Sequence, residues 1–204
     1  MARSAVVHTV VYVALTVPCE VGLGLIGAWL VTRIKRGRPV LLALLALPLA
    51  IPWTSASTMF LGFFNSGGVL DDLRAELLGA HRPVLWFQDP KLAFAVIVGA
   101  GIWKGTPWCF LLLVAALNSC PPDIFEAGRV DGARGLSYWS RVVVPAVRAM
   151  LVFVTVFRIF AEAQTYTSVA LLTQGGPVNA TQLASTYDNT LAFQYFQFGE
   201  ASAL

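Results

Sequence analysis

Charged residues are scarce in this 204-residue chain. Asp, Glu, Lys and Arg together make up 12% of the sequence, whereas hydrophobic residues make up 57%. About a quarter of the residues in a typical soluble domain are charged, so this composition excludes an ordinary soluble protein. The net charge of +3 comes from basic residues that flank apolar runs, and this placement argues against a face that binds nucleic acid.

Cysteine and histidine are also rare. Cys19, Cys109 and Cys120 show no CxxC or Cys/His spacing, which argues against a disulfide framework and against a metal site. His8 and His81 are isolated, and the sequence contains no phosphate-binding loop and no nucleophile–base group. The residues therefore predict no enzyme chemistry, no metal and no bound cofactor.

Long apolar runs make up most of what remains. A membrane-spanning helix needs about 20 apolar residues, and four runs reach that length. They cover residues 6–31, 40–64, 92–117 and 149–172, and a partial fifth begins near Thr190. The sequence thus predicts an all-α, polytopic bundle of transmembrane helices. Pro48 and Pro52 predict a kink in the second span because proline removes backbone donors.

Basic residues in the short connections predict the orientation. They are Arg33, Lys35, Arg36 and Arg38 in segment 32–39, and Arg129, Arg134, Arg141 and Arg148 in segment 118–148. Two spans separate these segments, so both lie on one side, and the positive-inside rule makes that side cytoplasmic. Segment 65–91 has mixed charge and segment 173–189 has no Lys or Arg, which fits the outer side of a cell membrane.

The same parity places Met1 on the outer side, and the C-terminus at Leu204 falls within an apparent helix. We therefore expect residues 1–204 to form a single transmembrane domain that lacks a first helix and most of the last one.

The charged segment 118–148 carries helix and turn signals. Pro121, Pro122 and Asp123 mark a helix start, and they predict a short helix over 124–130. Gly132 is the expected C-terminal cap, because glycine accepts a left-handed conformation. A second short helix is predicted over 136–144, and Pro145 would start the next span.

These two short helices would expose apolar side chains beside charged ones, and such a surface suits docking into a groove of a partner protein. The apolar residues are Ile124, Phe125, Leu136, Tyr138 and Trp139. The alternative is an amphipathic segment that lies on the membrane surface and carries ordinary positive-inside charges.

The sequence EAGRVDGA, followed by VVVP, resembles the cytoplasmic EAA loop in permease subunits of binding-protein-dependent ABC importers. Gly128 stands where the family usually has a second Ala, and Val144 stands where it usually has Leu. The residues that match the family pattern at its spacing are Glu126, Ala127, Asp131, Gly132, Ala133 and Pro145. The resemblance implies that segment 118–148 is a coupling loop that docks into a cleft of a separate ATPase.

The resemblance extends along nearly the whole chain. NSCPPDIFEA, GIWKGTPWCFLLLVAAL and LLTQGGPVNAT resemble segments of the sugar-type permeases, in the maltose/glycerol-3-phosphate group. It implies a six-helix type-I importer core that forms half of the path for a sugar-like solute. It also implies an ATPase dimer that hydrolyses the ATP, a second permease subunit and an extracytoplasmic solute-binding protein.

Polar residues inside the fourth span form a candidate translocation path. Arg158 and Glu162 lie four residues apart and so on one helical face, and Gln164 and Tyr166 follow them. Ionisable residues are costly within a membrane and are functional candidates for that reason. The alternative is a structural Arg158–Glu162 pair that holds helices together. The family often has an Asn-Asp pair where this chain has Gln164 and Thr165.

Trp103, Lys104 and Trp108 lie in the third span. They either contact a ligand or pack at the core and the membrane interface, and the second interpretation is favoured because tryptophan is enriched at interfaces. Two rival functions stay open at this point. One is a secondary transporter or channel that needs no ATPase, and the other is a truncated permease that no longer transports.

Overall fold

Helices account for all the regular secondary structure in the part of the chain that the computed structural model describes, which is residues 2–34, 36–79 and 82–202. The first five helices are α1 (Ala2–Arg33), α2 (Arg38–Ala50), α3 (Trp53–Phe64), α4 (Val69–Leu78) and α5 (Pro90–Ser119). The next four are α6 (Pro122–Val130), α7 (Gly135–Tyr138), α8 (Val144–Ala146) and α9 (Arg148–Ala163). The last three are α10 (Thr167–Leu172), α11 (Ala184–Asn189) and α12 (Phe198–Ala201). Two π-helical turns, Trp139–Val143 and Thr190–Gln194, continue α7 and α11. The predicted all-α fold is confirmed.

Two helices are each long and apolar enough to cross a membrane. They are α1, with 32 residues, and α5, with 30 residues, and they contain the first and third predicted spans. Two further spans are present if each of two bent helix pairs counts as one crossing. The helical pattern therefore agrees with a polytopic membrane protein.

The second predicted span, 40–64, is divided into two helices. α2 ends at Ala50 and α3 begins at Trp53, with Ile51 and Pro52 between them. Pro52 has no N–H to donate to the carbonyl of Pro48, which is four residues earlier, so the helical ladder stops there. The kink predicted from the two prolines is thus a break between two helices.

The fourth predicted span, 149–172, is also interrupted. α9 ends at Ala163, and α10 begins only at Thr167. At the other end, Val147 leaves the helical conformation (φ −110°, ψ 15°), and the segment Gly135–Ala146 bends by 79° from α9. The helix of the partial fifth span begins at Ala184, before its predicted start near Thr190.

The chain folds as two compact units, and each has a core of its own. One unit consists of residues 17–50 and 103–159, and Leu25, Cys109, Phe110 and Leu113 are buried in its core. A Cβ atom at Gly24 would lie 2.7 Å from Cβ of Cys109 and 2.9 Å from the backbone nitrogen of Phe110. Glycine at this position therefore lets the backbones of α1 and α5 approach closely, as small residues do between membrane helices.

The other unit consists of residues 1–16, 51–102 and 160–204. Its core residues are Tyr12, Ile97, Ala100, Val169, Leu172 and Leu183. Asp71 orders the predicted outer segment 65–91, because its carboxylate accepts N–H groups of Gly67 and Val84 at 3.1 Å and pairs with Arg74 at 3.1 Å. A segment that carries many charges is thus fixed by its own hydrogen bonds.

The close approach at Gly24 gives a test of the packing. We expect Gly24→Ala to lower the free energy of unfolding by about 1–3 kcal/mol, because the new methyl group meets backbone atoms that cannot move aside. Gly22→Ala, in the same helix, is the matched control because a Cβ there has no neighbour within 4 Å. It should leave stability equal or raise it by up to about 1 kcal/mol. Thermal unfolding in detergent measures both variants, and equal effects would contradict the packing.

Candidate coupling loop and intramembrane polar residues

α6 begins the candidate coupling loop. It starts at Pro122, two residues before the predicted start, and Asp123 lies in its first turn. Arg129 lies in its last turn, so both charged residues complement the helix dipole. Proline in the first turn loses no hydrogen bond, because that N–H has no partner within the helix.

Gly132 ends α6 in the way the sequence predicts. Its φ is +77°, and its N–H donates to the carbonyl of Arg129 at 3.1 Å. The N–H of Ala133 donates to the carbonyl of Gly128, also at 3.1 Å. These two bonds form a Schellman motif, which satisfies the last carbonyls of a helix. A Cβ at Gly132 would meet nothing within 4 Å, so the backbone conformation, and not crowding, favours glycine here.

Gly128 is required for a different reason. It is buried, and a Cβ there would lie 2.5 Å from Cγ2 of Val142, in the π-helical turn. The departure from the usual Ala at this position is therefore matched by the close packing of α6 against segment 139–143.

Pro145 does not start the next span, and that prediction is wrong. The chain stays helical from Gly135 through Ala146, and Pro145 lies at the beginning of α8. The fixed φ of proline suits the first turn of a helix. The break falls two residues later, at Val147, and α9 begins at Arg148.

An aromatic cluster joins the loop to α1. The ring of Trp29 lies 6.0 Å from that of Phe125, 5.5 Å from that of Tyr138 and 5.4 Å from that of Trp139. The guanidinium of Arg33 lies 4.2 Å from the centre of the Trp29 ring, which is a cation–π contact. The predicted exposure of the three loop aromatics is therefore wrong, because Trp29 covers them. The sequence offered one signal for this contact: an aromatic and a basic residue, Trp29 and Arg33, lie one helical turn apart at the end of the first span.

The opposite face of the loop is exposed. Val130 and Leu136, which flank the turn at Gly132, are 87% and 89% exposed, and Ile124 is also exposed. The family-matching residues Glu126, Ala127, Asp131, Gly132 and Pro145 are also exposed, whereas Ala133 is half-buried. The loop thus has a packed face toward α1 and an exposed face that mixes apolar and charged side chains.

A buried ion pair holds Arg158. Its Nε and Nη2 atoms donate to the two carboxylate oxygens of Glu20 at 2.8 and 2.9 Å, in bidentate geometry. Glu20 is fully buried, and a Cβ at Gly105 would collide with both members of the pair. Sequence reasoning missed Glu20, although it is the only acidic residue within the first predicted span.

Glu162 is also hydrogen-bonded to other side chains. It is 3% exposed, and its carboxylate accepts the hydroxyl of Tyr12 at 2.7 Å and that of Thr165 at 3.1 Å. A Cβ at Gly101 would collide with the Tyr12 hydroxyl, so glycine again makes room for a polar group. Gln164, in contrast, is exposed in the break after α9.

Tyr166 is also exposed, and its hydroxyl donates to Oδ1 of Asn189 at 3.0 Å. It links the break after α9 to the end of α11. The structure thus brings Tyr166 together with Asn189, at the end of the predicted outer segment 173–189, which sequence reasoning did not single out.

Lys104 and Trp108 have protein partners. The ammonium of Lys104 donates to the carbonyl of Pro48 at 2.5 Å, the carbonyl that Pro52 cannot satisfy. The ring of Trp108 stacks on that of Phe157, with 4.5 Å between the ring centres. Both contacts favour the packing interpretation of these residues.

The comparison with protein families now identifies the class. Residues 3–199 match the family described as binding-protein-dependent transport system inner membrane component. The match covers nearly all of the chain, so the chain belongs to this family. It is a multi-pass helical protein of the cell membrane.

Similar proteins are permeases of sugar transport systems. The chain is 34% identical over 193 residues to the trehalose/maltose transport system permease protein MalF of Thermococcus litoralis. It is 31% identical over 202 residues to the sulfoquinovosyl glycerol transport system permease protein SmoG of Agrobacterium fabrum. The alignments cover 94% and 97% of this chain but only 63% and 64% of these relatives. The chain thus spans less than two thirds of their length.

Solved structures share the fold. A bacterial alginate ABC transporter, crystallised in complex with an alginate pentasaccharide-bound periplasmic protein, contains a chain that superposes with a TM-score of 0.86 at 20% identity. The match covers 98% of this chain and 70% of that chain. A second crystal structure, of a bacterial ABC transporter that imports the acidic polysaccharide alginate, gives a TM-score of 0.81 at 20% identity.

The Glu20–Arg158 pair gives a stability prediction. We expect Glu20→Leu to lower the free energy of unfolding by about 3–5 kcal/mol, because it leaves the buried Arg158 charge without its carboxylate. The double variant Glu20→Leu/Arg158→Leu is the matched control and should regain most of that loss, because it removes both charges. Thermal unfolding in detergent measures both. If the double variant were as unstable as the single one, the loss would come from packing and not from the unpaired charge.

Proposed function

We propose that this chain is a membrane-spanning subunit of an ATP-driven importer for a sugar or sugar-like solute. It would form half of the translocation path and couple to a separate ATPase through segment 118–148. The observation that carries this proposal is the exposure of the loop: Val130 and Leu136 are exposed, and so are the family-matching Glu126, Asp131 and Gly132.

The contacts of the loop suit the transmission of movement from a docked partner to α1. On its packed face, Trp29 contacts three loop aromatics, so a displacement of the loop moves the end of α1 with it. On its exposed face, the hydrogen bonds at Gly132 fix the angle between the two short helices. A rigid element that docks into a moving partner can switch a packed bundle between discrete states.

The partners follow from this arrangement. We propose an ATPase dimer that hydrolyses the ATP, a second permease subunit that supplies the other half of the path, and an extracytoplasmic solute-binding protein. The family description supports the solute-binding protein, and so does the alginate ABC transporter, which was crystallised with its periplasmic protein. Closure of the ATPase dimer would push on the loop and turn the permease pair toward the outside.

The four candidate path residues divide into two pairs. Arg158 and Glu162 are engaged by Glu20 and Tyr12, respectively, and we propose that they hold helices together. Gln164 and Tyr166 are exposed in the break after α9, and we propose that they face the solute path.

Crosslinking tests the coupling directly. The three native cysteines are replaced by alanine, Ala127→Cys is introduced, and the chain is co-expressed with the ATPase and the partner permease. We expect a disulfide with cysteines in the ATPase cleft whose yield changes with ATP. Val152→Cys is the control, because Val152 is exposed but lies in α9, within the fourth predicted span and outside segment 118–148. An Ala127→Cys variant that crosslinks no better than Val152→Cys would overturn the proposal.

The turn at Gly132 gives a second prediction. A β-branched residue at φ +77° costs about 1–3 kcal/mol of strain. We expect Gly132→Val to reduce ATP hydrolysis stimulated by the loaded binding protein by about tenfold. Gly132→Asn is the control, because asparagine tolerates the left-handed region, and it should retain most of the stimulation. Normal stimulation in Gly132→Val would show that the angle of this turn does not carry the coupling.

A further inference from the structure

A small polar hollow lies between α10, α11 and the π-helical turn that follows α11. Its volume is about 180 Å³, and all but one of its lining residues carry an uncharged hydroxyl or amide group. These polar residues are Tyr166, Gln174, Thr186, Asn189, Thr190 and Gln194.

The hollow is polar although two predicted membrane spans contribute to its lining. Tyr166 belongs to the fourth predicted span, and Thr190 and Gln194 belong to the partial fifth. Gln174 and Asn189 come from the predicted outer segment, so the hollow lies at the outer ends of two spans. Polar side chains are rare at membrane depth unless they face the protein interior or a water-filled cavity. A polar hollow at this level suits a polar solute that arrives from outside.

The hydrogen bonds within the hollow use only some of the donors and acceptors of its lining side chains. Tyr166 donates to Oδ1 of Asn189 at 3.0 Å, and the Thr190 hydroxyl donates to the carbonyl of Thr186 at 2.9 Å. An amide group has two donors and an acceptor with two lone pairs, so Asn189 keeps its NH₂ group for a ligand. Gln194 is exposed, and its amide adds a further donor and acceptor.

The composition of the hollow disfavours one class of solute. The lining of the hollow, as far as the described residues go, contains no charged side chain. Of the basic residues within the spans, Arg158 binds the Glu20 carboxylate and Lys104 binds the Pro48 carbonyl. Recognition of a carboxylate or a sulfonate relies on charge-assisted bonds from such cations. An uncharged, hydroxyl-rich solute needs only the amides, hydroxyls and aromatic face that the hollow offers.

We propose that the Tyr166–Asn189 hollow is an outer subsite for one ring of an uncharged saccharide, and that this chain selects against acidic sugars. The proposal rests on the proposed importer function. The volume of the hollow lies below the roughly 300–1,000 Å³ of pockets for drug-sized ligands, so the hollow takes a single sugar unit at a time.

Cysteine labelling tests the subsite without requiring transport. Asn189→Cys is introduced into the assembled complex without native cysteines, in proteoliposomes, and reacted with a membrane-impermeant maleimide. The matched control is Phe193→Cys, which is 67% exposed on the adjacent turn but does not line the hollow. We expect Asn189→Cys to react at least about tenfold faster than Phe193→Cys, because position 193 lies within the partial fifth predicted span and outside the hollow, and a thiol in apolar surroundings ionises less readily.

Protection by sugars decides the solute class. The neutral probes are maltose, trehalose and raffinose, and the acidic probes are glucuronate and an alginate trisaccharide. We expect at least one neutral probe to slow the labelling of Asn189→Cys about threefold or more, and the acidic probes to have no effect. Protection by an acidic probe, or by none of the five, would overturn the subsite.

Transport separates this inference from the function on which it rests. In the complete importer, we expect Asn189→Ala/Gln194→Ala to lower neutral sugar import per ATP about tenfold, because two ligand hydrogen bonds are lost. Stimulation of the ATPase and the crosslink at position 127 should be unchanged. Asn179→Ala, on the exposed outer tip, is the control. Unchanged import by the double variant would overturn the subsite alone, whereas loss of the crosslink in the parent complex would overturn the importer function.

Discussion

The bilayer offers no hydrogen-bond partners, so a charged group that these helices bury is costly unless it has a partner within the protein. Glu20 and Arg158 meet this constraint as a bidentate pair, and Glu162 meets it with the hydroxyls of Tyr12 and Thr165. Because an unpaired charge would destabilise the bundle by several kcal/mol, these contacts restrict how the helices can pack. The arrangement of each unit depends on them.

Glycine makes these polar contacts sterically possible. Gly105 leaves room for the Glu20–Arg158 pair, and Gly101 leaves room for the hydroxyl of Tyr12. Both belong to α5, whose glycines give the helix a groove into which polar side chains of other elements fit. A helix that consisted only of large apolar residues would pack against lipid equally well, but it would leave these buried groups without space.

The candidate coupling loop is packed on one face and exposed on the other. Trp29 covers the aromatic side chains on the packed face, while Val130 and Leu136 on the other face have almost no protein contact. Apolar side chains this exposed are typical of a surface that another protein covers. Through Trp29, the loop is joined to the end of α1.

The sequence by itself determined the features that depend on local chemistry. The apolar runs predicted α1 and α5, the prolines predicted the interruption at Pro52, and Gly132 predicted the cap of α6. The spacing of Glu126, Asp131 and Gly132 indicated the family. Each of these signals lies within a few residues of the structure that it specifies.

Tertiary structure decided which distant residues meet. Arg158 binds Glu20, 138 positions earlier, a partner that the spacing within its own helix did not indicate. The loop aromatics are covered by Trp29, and Tyr166 reaches Asn189 across the turn of the outer segment. Periodicity within one helix carries no information about such pairs, because they depend on the packing of helices that only the folded chain brings together.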